Sequence, residues 1–119
     1  MRKLIYILIS TIMLSGCINN IDEPLLIGEY HFNTYKSDII VVHKDYTYDH
    51  KYVNTKGKTF ECHGKWRYNS KEILFHDFNF FNDLGPAGGS GVWISRVTQD
   101  DGKIKLNYSE DDNTYFEKE

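Results

Sequence analysis

Helix formers are what this chain has least of. Its 119 residues include one alanine, Ala87, one glutamine, Gln99, and no methionine after Met13, while Tyr, Phe, Ile, Val and Thr abound. That balance favours strands over helices. Cysteine is nearly absent as well. With only Cys17 and Cys62, a disulfide-stapled scaffold is excluded. Excess positive charge is also missing: 14 Lys and Arg stand against 17 Asp and Glu, a formal charge of −3. A nucleic-acid binder needs a cationic footprint to neutralise phosphates, so no nucleic-acid partner is expected. Finally, no apolar run is long enough to cross a bilayer. The longest, Leu4 to Leu14, is interrupted by Ser10 and Thr11; as a helix it would span roughly 16 Å of a ~30 Å hydrocarbon core.

That short run follows Arg2 and Lys3 and so reads as the apolar region of a signal peptide over residues 1–16. Leu14-Ser15-Gly16-Cys17 comes next and resembles the lipobox of bacterial lipoproteins at all four positions. The resemblance implies cleavage before Cys17 and attachment of acyl chains there, two or three of which make a stable anchor. It also implies an outer-membrane address, because residue 18 is Ile and not the Asp that commonly retains such proteins at the inner membrane. Residues 17–25 then read as the lipidated cysteine and a short tether, and residues 26–119 as one domain. Loss of Arg2 and Lys3 takes the formal charge of the mature chain from −3 to −5. Seventeen of the eighteen aromatic side chains remain in it, enough for a core without disulfides.

Period-two alternation is clearest in Phe60-Glu61-Cys62-His63-Gly64-Lys65-Trp66-Arg67-Tyr68, where one face is Phe, Cys, Gly, Trp, Tyr and the other Glu, His, Lys, Arg. This is the pattern of a half-buried antiparallel strand. Turn residues recur at His43-Lys44-Asp45, Thr55-Lys56-Gly57-Lys58, Asn69-Ser70-Lys71, Asp100-Asp101-Gly102 and Asp111-Asp112-Asn113. Strands are expected between them near 27–34, 38–43, 46–53, 59–68, 72–78, 92–98, 103–108 and 114–117. Eight short strands in sequence predict an all-β, up-and-down antiparallel meander closed into a small barrel, with a two-sheet sandwich as the alternative. The stretches Ile27-Gly28-Glu29-Tyr30, Lys44-Asp45-Tyr46-Thr47-Tyr48 and Gly64-Lys65-Trp66 are similar to those of small lipocalin-like barrels among exported bacterial lipoproteins, with Tyr30 where lipocalins carry the Trp of Gly-x-Trp. Phe60, Trp66, Tyr46 and Tyr48 are expected to point inward and fill so narrow a barrel.

Residues able to carry chemistry are few. Cys62 reads as a small buried hydrophobe. Its neighbour His63 points to the opposite face, so the two cannot share a proton or a metal ion. His31, His43, His50, His63 and His76 form no zinc-binding spacing, so no metal or cofactor is expected, and any metal site would have to be assembled from several strands. Gly88-Gly89-Ser90-Gly91-Val92 departs from a nucleophile elbow at its last position, and Gly85-Pro86-Ala87-Gly88-Gly89-Ser90-Gly91 lacks the Lys-Ser/Thr of a phosphate loop. Catalytic residues are therefore not expected.

One segment stands out. Phe78-Asn79-Phe80-Phe81-Asn82-Asp83-Leu84-Gly85 crowds three phenylalanines at the end of a strand before the longest loop, with Trp93 two residues beyond it. It reads either as the finish of the core or as a binding rim of Phe78, Phe80, Phe81, Asp83 and Trp93 beneath a lid. The expected function is a non-enzymatic, lipid-anchored protein-binding domain on the periplasmic face of the outer membrane. An immunity or inhibitor protein against a basic envelope toxin or hydrolase fits that class. A lipocalin-like carrier of a small apolar ligand is the alternative.

Overall fold

A computed structural model describes residues 21–119; the expected signal peptide, Cys17 and the first tether residues lie outside them. The eight expected strands are all present: β1 (Gly28–Phe32), β2 (Asp38–Val42), β3 (Thr47–Val53), β4 (Thr59–Tyr68), β5 (Glu72–Phe78), then β8 (Gly91–Asp100), β9 (Lys103–Ser109) and β10 (Thr114–Lys118). Between β5 and β8 the chain makes a hairpin of two short strands, β6 (Phe81–Asn82) and β7 (Gly85–Pro86), where the sequence predicts a loop. The eight long strands close into an antiparallel barrel in the order β1-β10-β9-β8-β5-β4-β3-β2, and β2 pairs back onto β1. It is an up-and-down meander in which no strand is left as an edge. Among the described residues no helix is long and apolar enough to cross a membrane.

Alternation fixes the two faces of each strand. Tyr30, Ile40, Val42, Tyr48, Trp66, Ile73, Phe75, Leu106 and Phe116 point inward and are buried almost completely. At roughly 1.5–3 kcal/mol per buried large apolar side chain, this interior is the main source of stability. Tyr46 departs from expectation. Its backbone is left-handed (φ 68°), which swings the side chain out of the barrel. The ring rests on Trp66 and half of the residue is exposed, while the hydroxyl donates to Glu23.

An up-and-down barrel gathers alternate loops at each end. At one end, the proximal end, lie the β2–β3, β4–β5 and β8–β9 turns. It is stoppered by a short 3₁₀ turn, Glu23–Leu26, with Ile21 and Leu26 buried in the core. Tyr30 donates its hydroxyl proton to the Leu26 carbonyl at 2.7 Å, and the Ile21 N–H donates to the Tyr68 hydroxyl. Packing therefore starts five residues before the expected domain boundary at 26, because Ile21 and Leu26 are apolar enough to be drawn into the open mouth. At the other, distal end lie the β1–β2, β3–β4 and β9–β10 turns and the β6–β7 hairpin.

Strands β4 and β5 pair only through Trp66–Tyr68, so their seam opens toward the distal end. Gly64 lies at that opening. A Cβ there would come within 2.2 Å of the His76 carbonyl oxygen and against the Tyr48 ring, so only glycine fits. Outside the seam is a groove of about 640 Å³ lined by Tyr46, Gly64, Lys65, Trp66, Arg67, His76 and Asp77.

Candidate functional site

The distal end holds every residue of the expected binding rim, and the hairpin organises it. Phe78 closes the core and is 2% exposed. Its ring meets Tyr48, Phe75, Phe80 and Trp93. Phe80, Phe81 and Trp93 are half-buried and packed against that core. Phe80 lies edge-on to Trp93 and Tyr108, while Phe81 turns the other way to stack on Tyr52 and Phe60. The aromatic run is thus a stopper for the distal mouth, with its rims showing.

The hairpin is tied down at both of its ends. Asp83 accepts from the Tyr52 hydroxyl at 3.1 Å and from the Thr55 hydroxyl at 2.7 Å, and its carbonyl accepts from the Asn54 amide. The Thr55 bond holds the Asp83 carboxyl below the usual carboxylate range. Burial, helped by the same carboxylate, pushes the Tyr52 hydroxyl up to about 12. Ala87 N–H donates to the Phe80 carbonyl at 2.7 Å. Gly85 needs its left-handed backbone (φ 120°), and its bare α-carbon faces the Phe60 ring. Leu84, at the tip, is 95% exposed.

The inner fastening is a buried polar cluster. His50 is fully buried on β3, and both ring nitrogens face acceptors. Nε2–H donates to Asp38 Oδ1 at 2.6 Å and Nδ1–H to the Asn79 carbonyl at 2.9 Å. With both nitrogens donating, the ring carries two protons and is an imidazolium. Burial works against that charge, but the hydrogen bonds to Asp38 and toward the Cys62 sulfur outweigh it and push His50 up to about 9. Cys62, the register partner of His50, puts its sulfur 3.8 Å from Nδ1 and accepts the Asn79 N–H at 3.4 Å. Both backbone polar groups of Asn79 are thereby held at the point where the chain leaves β5 for the hairpin.

Asp38, His50 and Cys62 together have the composition of a nucleophilic triad. In this structure the sulfur is buried beneath the hairpin, and His50 and Cys62 hold the two backbone polar groups of Asn79. His63, adjacent to Cys62 in sequence, points outward to Asp49, as alternation requires. The chain matches no known family model, no curated protein and no solved structure.

Sequence reasoning missed Leu84 as the exposed tip and the joining of His50, Cys62 and Asp38 to Asn79. The second was within reach by counting. A turn at Asn54–Lys58 pairs Val53 with Thr59, and three steps back along the ladder His50 meets Cys62.

Proposed function

We propose that the chain is a lipid-anchored, non-enzymatic protein-binding domain of the cell envelope, of the kind that neutralises a toxin or hydrolase. The observation that carries this reading is the filled barrel. Its own side chains occupy the interior, the 3₁₀ turn stops one mouth and the aromatic hairpin the other, which leaves the outer surface to do the work. A hairpin held in one conformation meets a partner without losing much further entropy, and Leu84 with the rims of Phe80, Phe81 and Trp93 offers it apolar contact. The acidic turn Glu110-Asp111-Asp112 lies at the same end and suits a basic partner.

The anchor would be Cys17, with residues 1–16 removed. It would join the opposite, proximal end, so the hairpin would face away from the membrane. From Cys17 to Ile21 the chain can reach at most about 14 Å.

A photo-crosslinking residue placed at position 84 of the full chain in the living envelope tests the reading. The expected result is one protein adduct from position 84 and none from position 103 at the proximal end. Equal adducts from both positions, or none from 84, would overturn it. Replacement Cys17→Ser is expected to move the chain from the membrane to the soluble fraction, and retention at the membrane would refute the anchor. The filled interior weighs against the carrier alternative, for which the groove outside the β4–β5 seam offers a place for a small ligand.

A further inference from the structure

We propose that Glu29, His31 and Glu119 form a site for a divalent transition-metal ion on the outer wall of the barrel. Glu29 and His31 are two apart on β1 and so project from the same, outer face. Strand β10 runs beside β1, and just past its end the Glu119 N–H donates to the Glu29 carbonyl at 2.9 Å, bringing the third side chain alongside. One donor atom from each residue lies within 4.8 Å of the others.

The imidazole is oriented as a ligand. On one side, His31 Nδ1 is 3.1 Å from the Lys36 carbonyl, which can only accept, so Nδ1 bears the proton. Nε2 faces the two carboxylates, 2.6 Å from Glu29 Oε2 and 3.6 Å from Glu119 Oε1; with no ion present it carries a proton on the Glu29 hydrogen bond, and an incoming metal ion would displace that proton to water. A metal-bound histidine characteristically gives its other N–H to a carbonyl or carboxylate, which fixes the ring and the tautomer. Two carboxylates converge on this one nitrogen, and a single N–H cannot serve both at hydrogen-bond distance. A dipositive ion among the three donors compensates both charges.

The surroundings are permissive. On the β10 side Glu117 pairs with His31 in register and adds negative charge, part of it drawn off by Lys103 at 3.7 Å. On the β2 side the register neighbours of Glu29 and His31 are the outward Val41 and Ile39, neither of them charged, and Lys51 of β3 lies one strand further off. One imidazole and two carboxylates suit borderline ions such as Zn²⁺, whereas Cu(I) prefers thiolate and thioether sulfur. Three protein donors leave at least one coordination position for water or for a group on a partner.

The test is calorimetric titration of the full chain, purified in detergent, with zinc chloride. One ion per chain is expected. His31→Ala and Glu29→Gln should each weaken binding by about tenfold or more, with far-UV spectra and melting curves unchanged to show that the barrel survives. His63→Ala, which removes an outer-wall imidazole paired with Asp49, should leave the affinity as it was. Absence of saturable binding would overturn the proposal. So would binding that survives His31→Ala, or that falls with His63→Ala, since the ion would then belong to His43, Asp49 and His63.

Discussion

At the scale of single residues, His50 is the most informative side chain in the protein. It is a charged ring in an aromatic interior, stacked on Phe78 and tied to Asp38 and Asn79. A buried charge persists only when it is paired and hydrogen-bonded, so the cluster survives as a unit or fails as one. The raised proton affinity carries a stability consequence. Below the ordinary histidine value of about 6.5 the ring is protonated folded or unfolded, and its contribution is present in full. As pH rises through about 9 the folded ring loses its proton, and the Nδ1 or Nε2 that is stripped faces an acceptor with a lone pair. The expected cost between pH 7 and pH 10 is about 2–3 kcal/mol. Urea unfolding across that range should show it as a steeper decline for the natural chain than for His50→Gln. Parallel declines would mean that His50 is buried neutral.

At the scale of elements, what the sequence reveals follows from how local each signal is. All eight long strands match their expected ranges to within two residues at each end, since period two and a turn of Gly, Asn or Asp are read within a dozen residues. The β6–β7 hairpin is not readable from sequence: Gly85 and Pro86 look like loop punctuation, and the bonds that fasten the hairpin come from Tyr52 on β3 and from Asn54 and Thr55 on the β3–β4 turn. Tyr46 was misplaced because alternation says nothing of a left-handed backbone. Of the candidate site, the aromatic run was visible as a composition anomaly, but its division into core (Phe78), mouth (Phe80, Phe81) and exposed tip (Leu84) depends on tertiary closure.

Two outcomes follow for these elements. Asp83→Ala removes the acceptor shared by Tyr52 and Thr55. It should speed hydrogen exchange at the Ala87 amide by at least about tenfold, as local opening becomes easier, while β3 and β4 amides keep their protection. Uniform loss across the barrel would show that the hairpin is not a separable unit. Gly64→Ala instead strikes the β4–β5 seam, where the obstructing atom is the His76 backbone oxygen and cannot swing away. Overpacking there should cost about 1–3 kcal/mol and lower the melting temperature by roughly 5–20 °C; a change of less than a degree would contradict the contact.

At the scale of the whole molecule, the choice between a binding domain and a carrier turns on volume. A small eight-stranded barrel has an interior just wide enough for its own side chains. This one invests Trp66, Tyr30, Tyr48, Phe75 and Phe116 there and brings Ile21 and Leu26 in from beyond β1. The 3₁₀ turn stops one mouth, and the end of β5 with the β6–β7 hairpin stops the other, so the filling is a property of closure and not of any one element. If it is complete, the natural chain should bind no small apolar probe such as xenon or benzene inside. A void made by substitution should do so, because apolar cavities stay dry. Phe75 is the place to make it: it is fully buried, with the rings of Tyr48, Phe78 and Trp93 around it. Phe75→Ala should cost about 3–5 kcal/mol, a large part of the 5–15 kcal/mol that holds a domain of this size together, so the milder Phe75→Leu is the working variant. Xenon-induced shifts in the methyl spectrum near Ile73 and Leu106 would then appear in the variant alone. Saturable shifts in the natural chain would show that the interior is open, and the carrier reading would displace the protein-binding one.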